Sequence, residues 1–171
     1  MKQITREQCT LLIKQARVKP RLARELRFVP EDVSDWANRE LLAITTRSGA
    51  EGVLLMQLDD FYLLPFRLTT KLADKQSGRA RPVVCDFCYT WQRGGKTASI
   101  TCTDQEDDSR SVNFLCCGDL ECSLNVRGLT AAATLSRAQL HEDISIERRI
   151  ERLRAKLQSL AKTTHCFPYT L

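Results

Sequence analysis

Eight of the 171 residues are cysteine, and four of them stand in two close pairs, Cys85-Asp-Phe-Cys88 and Cys117-Gly-Asp-Leu-Glu-Cys122. A tetrahedral zinc ion takes four thiolate sulfurs at about 2.3 Å. A C-x-x-C turn supplies two of them from one knuckle, and a reversal of the chain brings the second pair opposite. Four thiolates leave no coordination position open, so the ion would be structural and would activate no water. Spacing alone leaves the membership of the set open, because Cys116 adjoins Cys117 and Cys102 lies on the intervening segment, so either could replace a ligand. Otherwise Cys102, Cys116 and Cys9 read as small core residues. Cys166 beside His165 reads as part of a mobile, partly exposed tail rather than a second ligand pair. His141, among Glu142 and Asp143, reads as a surface residue rather than a base. The chain has no Gly-rich phosphate loop, no Ser-His-Asp arrangement and no thioredoxin-like redox motif. We therefore expect no enzyme, and a nucleophilic Cys102 or Cys166 is only a residual reading.

The elements that must position these residues follow from periodicity. Between the pairs, KTASITCT alternates with period two, Asp104 to Asp108 form an acidic loop, and SVNFLC follows, which predicts a hairpin flanked by the cysteines. Upstream, LLAITTR, VLLMQL and FYLLPFRL are separated by turn residues and predict an antiparallel meander. Pro65 lacks a ladder donor, so the third strand should lie at an edge or carry a bulge there. Residues 69–81 read as a connecting loop and a candidate boundary. Residues 5–18 predict a short amphipathic helix, and Pro20 opens a second one that ends before Pro30. Near the C-terminus, Ser136 and Gln139 fit a capping box, with Leu135 against Leu140 as a staple. The seam Ile146, Ile150, Leu153, Leu157 and Leu160 then predicts a helix of about 25 residues packed on the protein's own sheet. The expected fold class is α+β: an antiparallel sheet with flanking helices, a four-cysteine zinc finger and a long C-terminal helix. Its segments are a helical start plus meander (1–80), the zinc module (81–130) and the C-terminal helix and tail (131–171), packed as one or two compact units.

With 43% hydrophobic and 27% charged residues, the chain has enough apolar material for a core and is no disordered tail. No apolar run approaches the roughly 18 residues of a membrane span, and MKQITREQCT has no signal-peptide core, so a cytoplasmic location is expected. The net charge of +5 is segregated: residues 1–30 carry eight cations against two anions, and residues 101–122 carry one against six. The sharpest block is Lys14, Arg17, Lys19, Arg21, Arg24 and Arg27, opposed only by Glu25. Its plainer reading is a solvated helical face. No aromatic residue interleaves these cations, so the stacking platform of a single-strand binder is missing from the block.

The run Cys85-x-x-Cys88-x-Thr90, then Gly94-Gly95, then Cys117-Gly118-Asp119-Leu120-Glu121-Cys122-Ser123-Leu124-x-Val126-Arg127-Gly128 resembles the zinc-finger domain of the FusB-type elongation factor G-binding proteins. Some of these confer fusidic acid resistance. The resemblance covers residues 81–130 well and the preceding strands loosely. It implies a treble-clef-like finger on a mixed sheet, with Cys85, Cys88, Cys117 and Cys122 as ligands of one structural Zn2+. It also implies a protein that binds elongation factor G and helps it leave the ribosome, with no bond made or broken. Before the first ligand the helical part is shorter than in resistance-conferring members. Phe87, Tyr89, Trp91 and Arg127 sit on or beside the knuckles and are the candidate partner contacts, since aromatic and Arg anchors dominate interfaces. Phe87 and Trp91 read equally well as packing over the sulfurs. The alternative function is a zinc-stabilised ribosome- or RNA-binding protein that uses its basic patches.

Overall fold

The computed structural model describes residues 1–70, 72, 78, 82–140 and 142–171. The loop and boundary expected at 69–81, apart from residues 69, 70, 72 and 78, together with His141 and the side chain of Gln139, lie outside the described residues.

The three apolar runs form β1 (Leu41–Thr45), β2 (Glu51–Gln57) and β3 (Phe61–Thr69). The hairpin between the cysteine pairs is β6 (Thr97–Thr103) and β7 (Ser111–Cys117). They join in the order β1-β2-β3-β6-β7. Every pairing is antiparallel, which corrects the mixed sheet implied by resemblance. A separate small ribbon pairs β4 (Val83–Val84) with β5 (Trp91–Gln92) around the first knuckle.

Both sheet faces are covered over β1 to β3, which is why VLLM reads as an unbroken apolar run. Val53 and Leu55 face a core built with α1 (Arg6–Gln15) and α2 (Pro20–Glu25). Leu54 and Met56 face the opposite core, which holds every cysteine but Cys9, together with Leu153, Leu157 and Leu160 of α5 (Ile146–Thr163). Gly52 is obligatory in β2, because a Cβ there would strike the Ile44 carbonyl and come within 2.9 Å of the Phe66 ring.

Pro65 lies in the middle of the sheet rather than on an edge strand. Leu68 N donates to Ala50 O, so alternation along the ladder turns the Pro65 nitrogen away from β2. On that far side, β8 (Pro168–Tyr169) pairs only with Phe61 and Tyr62, and β6 pairs only from Phe66 onward. Proline occupies the gap between them, where the strand needs no donor.

The C-terminal helical part differs from its expectation. It is two helices, α4 (Ala131–Leu140) and α5, and α5 has 18 residues rather than about 25. Ser136 lies inside α4, where its Oγ accepts from Trp91 N at 2.8 Å. The caps are Thr130, which accepts from Ala133 N, and Ser145, which accepts from Arg148 N. The tail is docked rather than mobile: Cys166 is buried and His165 Nδ1 lies 2.9 Å from Asp104 Oδ2.

Candidate metal centre

Cys85 and Cys88 sit on the turn that β4 and β5 hold at its base, with Cys85 N bonded to Thr90 O and Tyr89 N to Cys85 O. Cys117 ends β7, and Cys122 opens α3 (Cys122–Val126). All four are buried, and their sulfurs lie within 4.8 Å of one another. Cys85 Sγ is 3.7 Å from Cys122 Sγ, and Cys88 Sγ is 3.5 Å from Cys117 Sγ. A ZnS4 tetrahedron with about 2.3 Å bonds has sulfur–sulfur edges of about 3.8 Å, so these thiols fit the ion. Without a cation such a cluster cannot ionise fully. Hydrogen bonds from Cys117, Cys122 and Cys85 hold Cys88 well below the usual thiol range. Contact with Cys117, Cys85 and Cys88, with burial added, drives Cys122 far above it.

Two side-chain amides that the sequence reading missed complete the centre. Gln92 Nε2 and Asn125 Nδ2 each lie 3.2 Å from Cys117 Sγ. The Thr130 hydroxyl donates to Asn125 Oδ1 at 2.5 Å, which turns the NH2 end toward the sulfur. Both amides are buried, at 2% and 3% exposure, and donors aimed at a ligand spread its charge and fix its direction. A signal existed for Asn125, which lies three residues after Cys122 and so shares its helical face. Gln92 had only its place just beyond the first knuckle.

Cys102 and Cys116 are both outside the four-sulfur cluster. They lie in the α5 core with Ala98 and Ile100. Burial pushes the thiols of Cys102 and Cys166 up to about 12 and that of Cys9 up to about 11, so none of the three is a ready thiolate at neutral pH. All eight cysteines are free of disulfides.

The expected contact residues separate. Phe87 is 1% exposed and packs at 5.4 Å against Phe114, as part of the core. Trp91 is half-buried on β5. Arg127 is turned inward, bonded to Glu40 and to Ser123 O. Tyr89 is exposed at the knuckle, with the Arg152 guanidinium 4.0 Å from its ring centroid.

The family described as FBP C-terminal treble-clef zinc-finger matches residues 18–164. The chain belongs to that family. The match reaches well beyond 81–130, so the FBP-type unit includes α2 and strands β1 to β7 as well as the finger. No curated protein matches the chain, and neither does any solved structure. As a treble-clef protein it carries one structural zinc site, and Cys85, Cys88, Cys117 and Cys122 are the residues that would hold the ion. Among the described residues no helix is long and apolar enough to cross a membrane.

Proposed function

We propose that this FBP-type protein binds elongation factor G, without chemistry of its own, and promotes its release from the ribosome in the reducing cytoplasm. Membership of the FBP family over residues 18–164 carries the reading. The geometry supports it with a presenting surface. Tyr89 stands on a rigid metal knuckle, and Leu115 and Val84, each 40% exposed, lie on strands beside it. Asp86 N donates to Leu115 O, and Leu115 N donates to Asp86 Oδ2, which fixes β7 to the knuckle. An aromatic anchor with two aliphatic neighbours on a preorganised turn suits a protein interface, because little side-chain entropy remains to be lost.

Release of the factor requires that the protein bind one of its conformations better than the ribosome-bound one, since only differential affinity shifts an equilibrium. The test is a pull-down of the zinc-loaded protein with purified elongation factor G, repeated with Tyr89→Ala and Leu115→Ser. Capture that survives high salt and falls at least ten-fold in the variants supports the reading. Absence of capture by the zinc-loaded wild-type protein overturns it.

A further inference from the structure

On the side of the sheet away from the zinc core, α2 separates two basic grooves. The first has a volume of about 600 Å3 and lies where the ladder opens at Pro65. Arg17, Lys19, Arg21 and Arg67 line it, with Glu51, Asp104 and Asp108 as its acids. These acids leave positive charge over. Glu51 is shared between Arg21 at 3.7 Å and Arg67 at 3.4 Å, Asp108 meets Lys19, and Asp104 is occupied by His165. Arg17 meets no carboxylate among the described residues. The second groove holds Arg24, Arg27 and Arg47 against Glu25 alone, and Glu25 pairs with Arg21.

The sequence block from Lys14 to Arg27 contains no aromatic residue, but the fold supplies them from the opposite end of the chain. Phe167 and Tyr169 line the first groove. Phe167 is 52% exposed, yet both its neighbours are fixed: Cys166 Sγ reaches Leu63 O, and Pro168 pairs with Tyr62. Its ring is thus held at the groove wall without being packed away. A positive groove with an exposed aromatic face is what binds a base and its phosphate, and a second basic groove beyond α2 extends the track for the next phosphates.

We propose that this face binds single-stranded nucleic acid, with one base stacked on Phe167 and the adjoining phosphates held by Arg17, Arg21 and Arg67 and then by Arg24, Arg27 and Arg47. The surface ion pairs at Lys19 and Arg21 are exposed and weak, so a phosphate can displace their carboxylates at little cost.

The test is a fluorescence-anisotropy titration of the zinc-loaded full chain with a labelled single-stranded RNA octamer. The same sequence as a duplex and adenosine monophosphate serve as competitors, and zinc content verifies the fold of each variant. The octamer should bind more weakly as salt rises, with a log–log slope of about −2 to −3 for three or four phosphates. Phe167→Ala should weaken binding by roughly ten-fold or more, and Phe167→Tyr should restore it. Arg24→Glu with Arg27→Glu should weaken it and flatten the salt slope. No binding at low salt, or unchanged affinity in Phe167→Ala, overturns the proposal. Equal affinity for the duplex overturns the single-strand reading, and monophosphate competing as strongly as the octamer overturns the track across α2.

Discussion

Arg127 on the turn after α3 grips Glu40, the residue before β1, through two hydrogen bonds, Nη1 to Oε2 at 2.8 Å and Nη2 to Oε1 at 2.5 Å. Ser123 Oγ, one residue past Cys122, accepts from both Glu40 N and Leu41 N. The helix that carries a zinc thiol is thereby fastened to the first strand of the meander. Side-chain exposures of 14% and 6% place the ion pair out of bulk water, and breaking a buried pair leaves one charge unpaired. Arg127→Ala or Glu40→Ala should therefore lower the unfolding free energy by about 3–5 kcal/mol in urea titrations. Glu40→Leu combined with Arg127→Met should cost less than either single change.

Removal of the metal should unfold more than the finger. The four sulfurs join two knuckles that hold β4, β5 and α3, and α3 in turn holds β1. Structural zinc contributes about 10–16 kcal/mol in small zinc peptides, more than most domains have to spare. A chelator, or Cys85→Ser with Cys88→Ser, should abolish the cooperative thermal transition. Elemental analysis of the intact protein should give one zinc per chain.

The amides of Gln92 and Asn125 both donate to Cys117 Sγ, so removing them should loosen the ion without removing a ligand. Gln92→Leu and Asn125→Leu should each lower zinc affinity by about 10- to 100-fold in competition with a chelating dye. Thr130→Val should produce a smaller loss, because Thr130 acts only by orienting Asn125.

The tail's anchor has a defined pH dependence. The amide of Glu106 holds the Asp104 carboxyl below its ordinary range, and His165 and the amide of Asp107 add to this. A carboxyl whose folded pKa is depressed contributes stability above its unfolded value and loses that contribution as pH falls through the folded one. Docking of residues 164–169 should therefore persist at pH 5 and be lost only below the usual carboxylate range, near 3.9. Limited proteolysis across that window should show the tail cut first, and Asp104→Asn should expose it at neutral pH.

Local patterns carried the fold class. Apolar runs separated by turn residues over 41–68 and period-two alternation over 96–103 marked the strands, and the two close cysteine pairs marked the segment that folds around their sulfurs. Signals answered by distant partners were not legible. Ser136 and Gln139 satisfy a capping pattern, but the Ser136 hydroxyl is engaged by Trp91 N across the fold, and Thr130 caps the helix instead. Arg127 reads as a surface anchor until Glu40 stands opposite it. Phe167 and Tyr169 reach the basic block only because β8 returns along β3. Pro65 correctly indicated a missing donor, yet it could not indicate that the gap lies between two partial partners of a central strand.

Tyr89 allows stability and binding to be separated. Its φ of 57° lies in the left-handed region, where a bulky residue costs roughly 1–2 kcal/mol and glycine costs almost nothing. Tyr89→Ala keeps that strain and loses both the ring and its Arg152 contact, whereas Tyr89→Gly loses the same contacts but relieves the strain. Glycine should thus be the more stable of the two by about 1 kcal/mol in urea titrations, the reverse of the usual order away from such positions. Both should lose affinity for elongation factor G to the same degree, because in the proposed interface the ring makes the contact. Equal stability of the two variants would show that the knuckle bears no strain, and unequal affinities would show that backbone shape, not the ring, governs the interface.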